Sequence, residues 1–340
     1  MEPKVDSVRS NSAARAVLCA PSVREPGWPK AFLLSIVYAY RLMIWNSGRH
    51  PATHGGSRVV ALLPQSYTSS IHDQEAKTMI GSSDPRWTEG FTSLSNTRLH
   101  YAHAGQGDPL LLLHSNGCSA YEFQFVIEAL ARQHRVYAID LPGQGDSDPL
   151  TAHWTYPMYA QAVVEFMDRH DLSRATVLGT SIGGVVCLAL GQHHADRMRG
   201  LLLVETPIRA AQAWAARWLA VESNFALPVQ PFEAVASRIR NLTPELHLRW
   251  NIDRSKAGAH TMMDAMWAVR EYDALAALAQ LAVPAFALLG SNGPVGDSRQ
   301  ALEAKLPAGH IVVMDNCGHF PMIEEPASFT QHVQRFIERL

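Results

Sequence analysis

The residues best placed to do chemistry are those of Gly179-Thr180-Ser181-Ile182-Gly183, which follow the short apolar run Ala175 to Leu178 and lead into a helix-forming stretch, Val185 to His194. A serine between two glycines at a strand-to-helix turn has the spacing of a nucleophile elbow. The turn exposes the hydroxyl, and a side chain at either flanking glycine would meet the neighbouring strand and helix. The start of the helix also aims backbone N–H groups at any oxyanion formed beside Oγ. A serine hydroxyl is a weak nucleophile until a base takes its proton, so Ser181 needs a histidine oriented by a carboxylate. The best base is His319, in Asn316-Cys317-Gly318-His319-Phe320-Pro321, directly after the apolar run His310 to Met314.

These residues must be held by a scaffold, and the chain from Gly90 onward supplies one. Phe91 to Leu94 and Arg98 to His103 flank Ser95-Asn96-Thr97 and read as a hairpin. Pro109 to Leu113, Arg135 to Ile139, Ala175 to Leu178, Leu201 to Val204, Ala285 to Leu289 and His310 to Met314 read as further strands. Helical patterns lie over Ala120 to Gln133, Pro157 to His170, Val185 to His194 and Pro326 to Leu340. Alternation of this kind predicts an α/β fold with a mainly parallel, eight-stranded sheet covered by helices on both faces. Ligands then bind at the carboxyl ends of the strands. The interval from residue 207 to 281 breaks the alternation with aromatic-rich helical spacing and predicts a helical cap. Trp214, Trp218 and Met266 in that interval, with Phe320 beside His319, are the candidate substrate contacts. The expected organisation is an extension over residues 1–79, a core over 80–206 and 282–340, and the cap over 207–281.

Composition narrows the function. Among 340 residues, Lys plus Arg number 29 against 31 for Asp plus Glu, so no basic excess exists to hold a phosphate backbone, and nucleic acid is not an expected partner. Four scattered cysteines, Cys19, Cys118, Cys187 and Cys317, form no Cys-x-x-Cys pair. They argue against a disulfide scaffold or a zinc site and fit a reducing, cytoplasmic setting. Neither metal nor cofactor is expected. The near balance of charge in the cap points to a small, largely apolar substrate. The apolar run Ala31 to Trp45 is interrupted by Arg41 and is shorter than the roughly twenty residues of a membrane span, so stable membrane insertion is not expected. The first 79 residues read as an address, a disordered extension or translation from a start upstream of Met79, with the last two preferred.

Four motifs in order carry a family resemblance. His114-Ser115-Asn116-Gly117, Asp140-Leu141-Pro142-Gly143-Gln144-Gly145-Asp146-Ser147, the Ser181 elbow, and Gly318-His319-Phe320-Pro321 followed by Glu325-Pro326 and Phe329 together resemble the α/β-hydrolase superfamily. The resemblance implies an oxyanion hole at the backbone N–H groups of Asn116 and Ile182. Ser115 departs from the family's usual glycine. Asn116 resembles the halide-binding asparagine of haloalkane dehalogenases, whose nucleophile is an aspartate rather than a serine. The family's usual acid falls three residues after Gly290, on Gly293, which has no carboxylate. Glu205, closing the strand after the elbow helix, is the preferred replacement, and Asp297 the alternative. The implied activity is that of a serine hydrolase cleaving an ester or lactone through an acyl-enzyme. The alternatives are a ligand receptor with little turnover, motivated by the displaced acid, and a cofactor-free lyase or oxygenase.

Overall fold

A computed structural model of the chain describes residues 86–340. The expected N-terminal extension and Cys19 lie outside these residues. In chain order the elements are β1 (Thr88–Ser93), β2 (Arg98–Ala104), β3 (Asp108–Leu113), α1 (Ile127–Ala131), β4 (His134–Ile139), α2 (Tyr156–Arg169), β5 (Ala175–Thr180), α3 (Ile182–His193) and β6 (Met198–Val204). There follow α4 (Ala211–Phe225), α5 (Phe232–Ala236), α6 (Pro244–Glu271), α7 (Ala274–Gln280), β7 (Ala285–Gly290), α8 (Arg299–Lys305), β8 (Ile311–Met314), α9 (Pro321–Glu324) and α10 (Pro326–Ile337).

The strands form one eight-stranded sheet in the order β1-β2-β4-β3-β5-β6-β7-β8. β1 and β2 pair antiparallel, as do β2 and β4, while all pairs from β4 across to β8 are parallel. The continuous apolar strands explain this arrangement, since alternate residues must be buried on opposite faces. Leu111 and Leu113 of β3, Leu201 and Leu203 of β6, and Ala287 and Leu289 of β7 join one core cluster with α2, α3 and α7. Leu110 and Leu112, Leu202 and Val204, and Phe286 and Leu288 join the other with α1 and α10. Each fully buried leucine contributes about 1.5–3 kcal/mol. A one-residue slip of any central strand would exchange the two sets.

Two local departures from the sequence reading have visible causes. The helix expected over Ala120 to Gln133 is broken into a 3-10 turn, Ala120–Phe123, and the short α1. Its first turn is set by loop contacts: Ala120 N–H donates to Asp140 Oδ1 at 2.6 Å, and the Glu122 carboxylate reaches back to Ser115. Between β6 and β7 the chain forms α4 to α7, and α6 is kinked at Gly258 (φ 73°), a backbone conformation that glycine adopts without strain. α7 lies against α3: Tyr272 OH, just before it, donates to Gln192 Oε1 at 2.9 Å. No helix of the described residues is long and apolar enough to cross a membrane.

Candidate active site

The site is assembled along the carboxyl edge of the sheet, where neighbouring strand ends are tied together in sequence. Ser181 caps α3 with φ 55° and ψ −114°, a conformation forced on a side-chain-bearing residue by the tight turn. A Cβ at Gly179 would come within 2.1 Å of the Gly183 carbonyl oxygen, and one at Gly183 within 2.2 Å of the Leu113 carbonyl oxygen. Only glycines let the strand, turn and helix close so tightly. Ser181 N–H donates to the Val204 carbonyl at 2.9 Å, which fixes the elbow to the end of β6. The next residue along β6, Glu205, also has positive φ (46°), and its N–H donates to Leu288 on β7 at 2.9 Å.

Glu205 is fully buried and makes two bonds with its carboxylate. Oε1 accepts from the Gly290 N–H at 2.7 Å, and Oε2 lies 3.1 Å from Nδ1 of His319. The carboxylate occupies the space that a side chain at 293 would need: a Cβ on Gly293 would sit 2.3 Å from both Glu205 oxygens. The absence of a side chain at 293 and the presence of a glutamate at 205 are thus one arrangement. Asp297, the alternative acid, is elsewhere engaged. Its oxygens accept from Arg209 Nε and Nη2, both at 2.7 Å, and from Arg217 at 3.0 Å. These pairs hold its carboxyl below the usual aspartate range against the opposing effect of partial burial.

The first loop shows why serine stands at 115. The Ser115 N–H donates to Glu122 Oε2 at 2.8 Å and its hydroxyl to Oε1 at 3.3 Å, so the buried carboxylate holds the loop by two donors. Burial pushes Glu122 up to about 7, with the Ser115 bonds opposing the rise. His114 is buried and made less basic by that burial. Its Nδ1 donates to the Ser115 carbonyl at 2.7 Å and its Nε2 accepts from Leu141 N–H at 2.9 Å. Gly117 N–H donates to Gln144 Oε1 at 2.6 Å, joining this loop to the one after β4. Asn116 directs its amide Nδ2 to the Met262 carbonyl at 2.9 Å, and so ties the loop to α6. Ile182 is the first residue of α3, where an N–H has no intrahelical acceptor.

The remaining sequence candidates fall in two groups. Trp214 and Met266 are buried in the same apolar cluster as Ile182, and Trp218 packs tilted against Trp267 with ring centres 4.4 Å apart. Phe320 is buried on the opposite side, edge-on to both His319 (4.9 Å) and Trp250 (5.5 Å), and lines a small cavity with Cys118 and Glu122. Among the described residues, one group has atoms close enough for a metal: His100, Asp140 and Asp146. Its members are satisfied by one another and by neighbours, with His100 Nδ1 2.8 Å from Asp140 Oδ2 and Lys256 on Asp146 at 2.7 Å. Burial opposes the His100 cation, but Asp140 and Glu89 outweigh it and push the group up to about 9. The sequence reading missed Glu122 and Gln144 as supports of the first loop, because buried polar residues on a helix turn or beside a glycine carry no spacing signal.

Residues 108–326 match the model of the alpha/beta hydrolase fold family. The chain belongs to that family. This α/β-hydrolase is 28% identical over 264 residues to the pimeloyl-[acyl-carrier protein] methyl ester esterase of Vibrio vulnificus, a match that spans 71% of this chain and 98% of the relative. Among solved structures, it is similar to the enol-lactonase from Burkholderia xenovorans LB400, with a TM-score of 0.64, 22% identity and coverage of 73% of this chain and 100% of that one. It is also similar to an N-acyl homoserine lactonase complexed with N-hexanoyl homoserine, with a TM-score of 0.65, 22% identity and coverage of 74% and 97%.

Proposed function

We propose that this α/β-hydrolase is a serine esterase or lactonase acting on a small, largely apolar substrate, with Ser181 as nucleophile, His319 as base and Glu205 as the acid that orients it. The observation that carries this reading is the buried Glu205 to His319 contact at 3.1 Å, made on the same sheet edge as a serine held at φ 55°. A carboxylate can only accept, so the hydrogen of a neutral His319 ring resides on Nδ1, and Nε2 keeps a lone pair for the Ser181 proton. Ser181 Oγ then adds to the ester carbonyl. The oxyanion is received by the N–H groups of Ile182 and Asn116, the alcohol leaves with the proton from His319, and water repeats the sequence to free the acid. The helical interval 207–281 serves as the cap, with Trp214, Trp218 and Met266 as apolar contacts and Phe320 supporting the His319 ring. The three described cysteines are all free, which suits a reducing compartment, and we place the protein in the cytoplasm.

The esterase and lactonase names of its relatives support the reaction class. The Glu205 carboxylate in the space a side chain at 293 would need supports the hydrolase reading over a receptor with little turnover. The test is labelling with a fluorophosphonate, with peptide mapping, alongside turnover of short p-nitrophenyl esters. Labelling at Ser181 and turnover abolished by Ser181→Ala are expected. Labelling elsewhere, or turnover that persists in Ser181→Ala, would refute the assignment. Serine-dependent chemistry on a non-ester substrate with no ester turnover would favour the lyase.

A further inference from the structure

Three arginines of the helical interval, Arg238, Arg254 and Arg270, have no ion-pair partner among the described residues, and the first two stand over Trp250 close to the candidate site. Arg254 is fully buried, and Nη2 donates to the carbonyls of Asn224 and Leu227. Its Nε and Nη1 have no hydrogen-bond partner among the described residues. Nη1 lies against the loop that carries Asn116, only 3.3 Å from where a Cβ of Gly117 would be. Arg238, partly buried, donates Nη1 to Asn224 Oδ1 at 2.5 Å. The two guanidinium groups stand 5.5 Å and 5.7 Å from the centre of one ring, Trp250, whose edge meets Phe320 next to His319. The Arg238 carbonyl oxygen comes within 3.1 Å of a Cβ position on Gly318, which precedes His319.

A buried guanidinium with unmet donors is costly, because neither water nor a counter-charge repays its desolvation. The ring of Trp250 attracts both cations but satisfies none of their N–H groups. Burial lowers the Arg254 guanidinium to about 10, opposed by Cys118 and reinforced by the Arg238 charge. Proteins retain uncompensated charge where a ligand completes it. The remaining donors of Arg254 suit planar carboxylate oxygens, and Arg238 adds a second charge over the same Trp250 ring. An apolar ester with one acidic end meets both the aromatic cap and these arginines, whereas a fully neutral ester leaves the arginines unpaired.

We propose that Arg254, assisted by Arg238, forms a carboxylate subsite, so that the preferred substrates are half-esters of dicarboxylic acids or lactones bearing a free carboxylate. The proposal rests on the esterase reading for its reaction and on the unpaired arginines for its specificity. Bound half-ester keeps its carboxylate on Arg254 while its ester carbonyl faces Ser181. Hydrolysis then consumes one water and yields the dicarboxylate, the alcohol and one proton released to solvent.

The experiment compares monomethyl adipate with dimethyl adipate, in which one more methyl ester replaces the charged end, with rates counted per ester group. The wild-type kcat/KM for the half-ester is expected to exceed that for the diester on the order of ten- to a hundredfold, the range of a charged hydrogen bond. In Arg254→Met that ratio falls to about one or below, and Arg254→Lys, which keeps the charge without the fork, gives an intermediate ratio. A wild-type ratio of one or less, or a ratio unchanged in a folded Arg254→Met, overturns the proposal. Calorimetry with Ser181→Ala separates this inference from the esterase reading. If that variant binds monomethyl adipate well over dimethyl adipate while the wild type turns over neither, the subsite stands and the esterase reading falls. If the wild type shows Ser181-dependent turnover of neutral esters and no preference for the half-ester by rate or by binding, the subsite falls and the esterase reading stands.

Discussion

Replacing Gly293 by alanine tests the position of the acid without touching any group proposed to react. The new Cβ would lie 2.3 Å from both oxygens of Glu205, whereas ordinary contacts of such a carbon begin at 3.4 Å. The carboxylate must therefore recede by about 1.1 Å, the difference between those two distances. Its present bonds are 2.7 Å to Gly290 N and 3.1 Å to His319 Nδ1. A retreat of that size takes at least one of them beyond hydrogen-bonding range. If the His319 bond yields, the ring loses both its orientation and the counter-charge for its cation. Losing such a partner altogether costs about 10³–10⁴ in kcat in a serine triad, so Glu205→Gln is expected to fall in that range and Gly293→Ala to lose about 10²-fold or more. Because both changes act through one contact, Gly293→Ala added to Glu205→Gln should cost less than about threefold further. The assay is kcat for p-nitrophenyl butyrate, with circular dichroism confirming the fold of each variant. A folded Gly293→Ala within about threefold of wild-type kcat, or two effects that simply multiply, would refute the reasoning.

Asp297→Asn is expected to leave kcat within about threefold, because Asp297 pairs with Arg209 and Arg217 rather than with His319, but to lower stability by about 1–3 kcal/mol through the buried Arg209. Urea unfolding and ester turnover read the two effects separately, and a kcat loss exceeding that of Glu205→Gln would return the acid role to Asp297. His100, raised to about 9 by Asp140 and Glu89, contributes stability that is complete below 6.5, the ordinary value, and is lost as the pH rises through about 9. The melting temperature of the wild type should therefore fall more between pH 6.5 and 9.5 than that of His100→Gln, and parallel curves would contradict the pairing. Glu122 is also raised, from 4.5 to about 7, in this case by burial, so the folded state holds its proton longer than the unfolded one. Its contribution is complete below pH 4.5 and is lost up to pH 7, amounting to about 3 kcal/mol. Relative to Glu122→Gln, the wild type should be less stable at pH 8 than at pH 5 in urea unfolding, and the opposite trend would exclude a buried, proton-holding carboxyl.

The sequence by itself determined the eight strands, their mainly parallel pairing and the edge that carries the candidate site. Continuous apolar runs such as Leu110 to Leu113 have one comfortable environment, a sheet covered on both faces, and the glycines around Ser181 permit a turn that other residues would block. These signals are local, so they survive in a one-dimensional reading. Position 293 was legible only as a gap. That Glu205 fills it depends on β6 and β7 lying side by side, with residues 205 and 293 brought together across 88 positions of chain. Serine at 115 likewise gained its reason only when the first helical turn folded Glu122 back under the loop. The unpaired arginines are the extreme case. A near balance of acids and bases in the cap looks neutral along the chain, but charge is compensated by distance, not by composition. Only the packing of the helix bearing Arg254 over Gly117 left that cation buried with no carboxylate paired to it among the described residues.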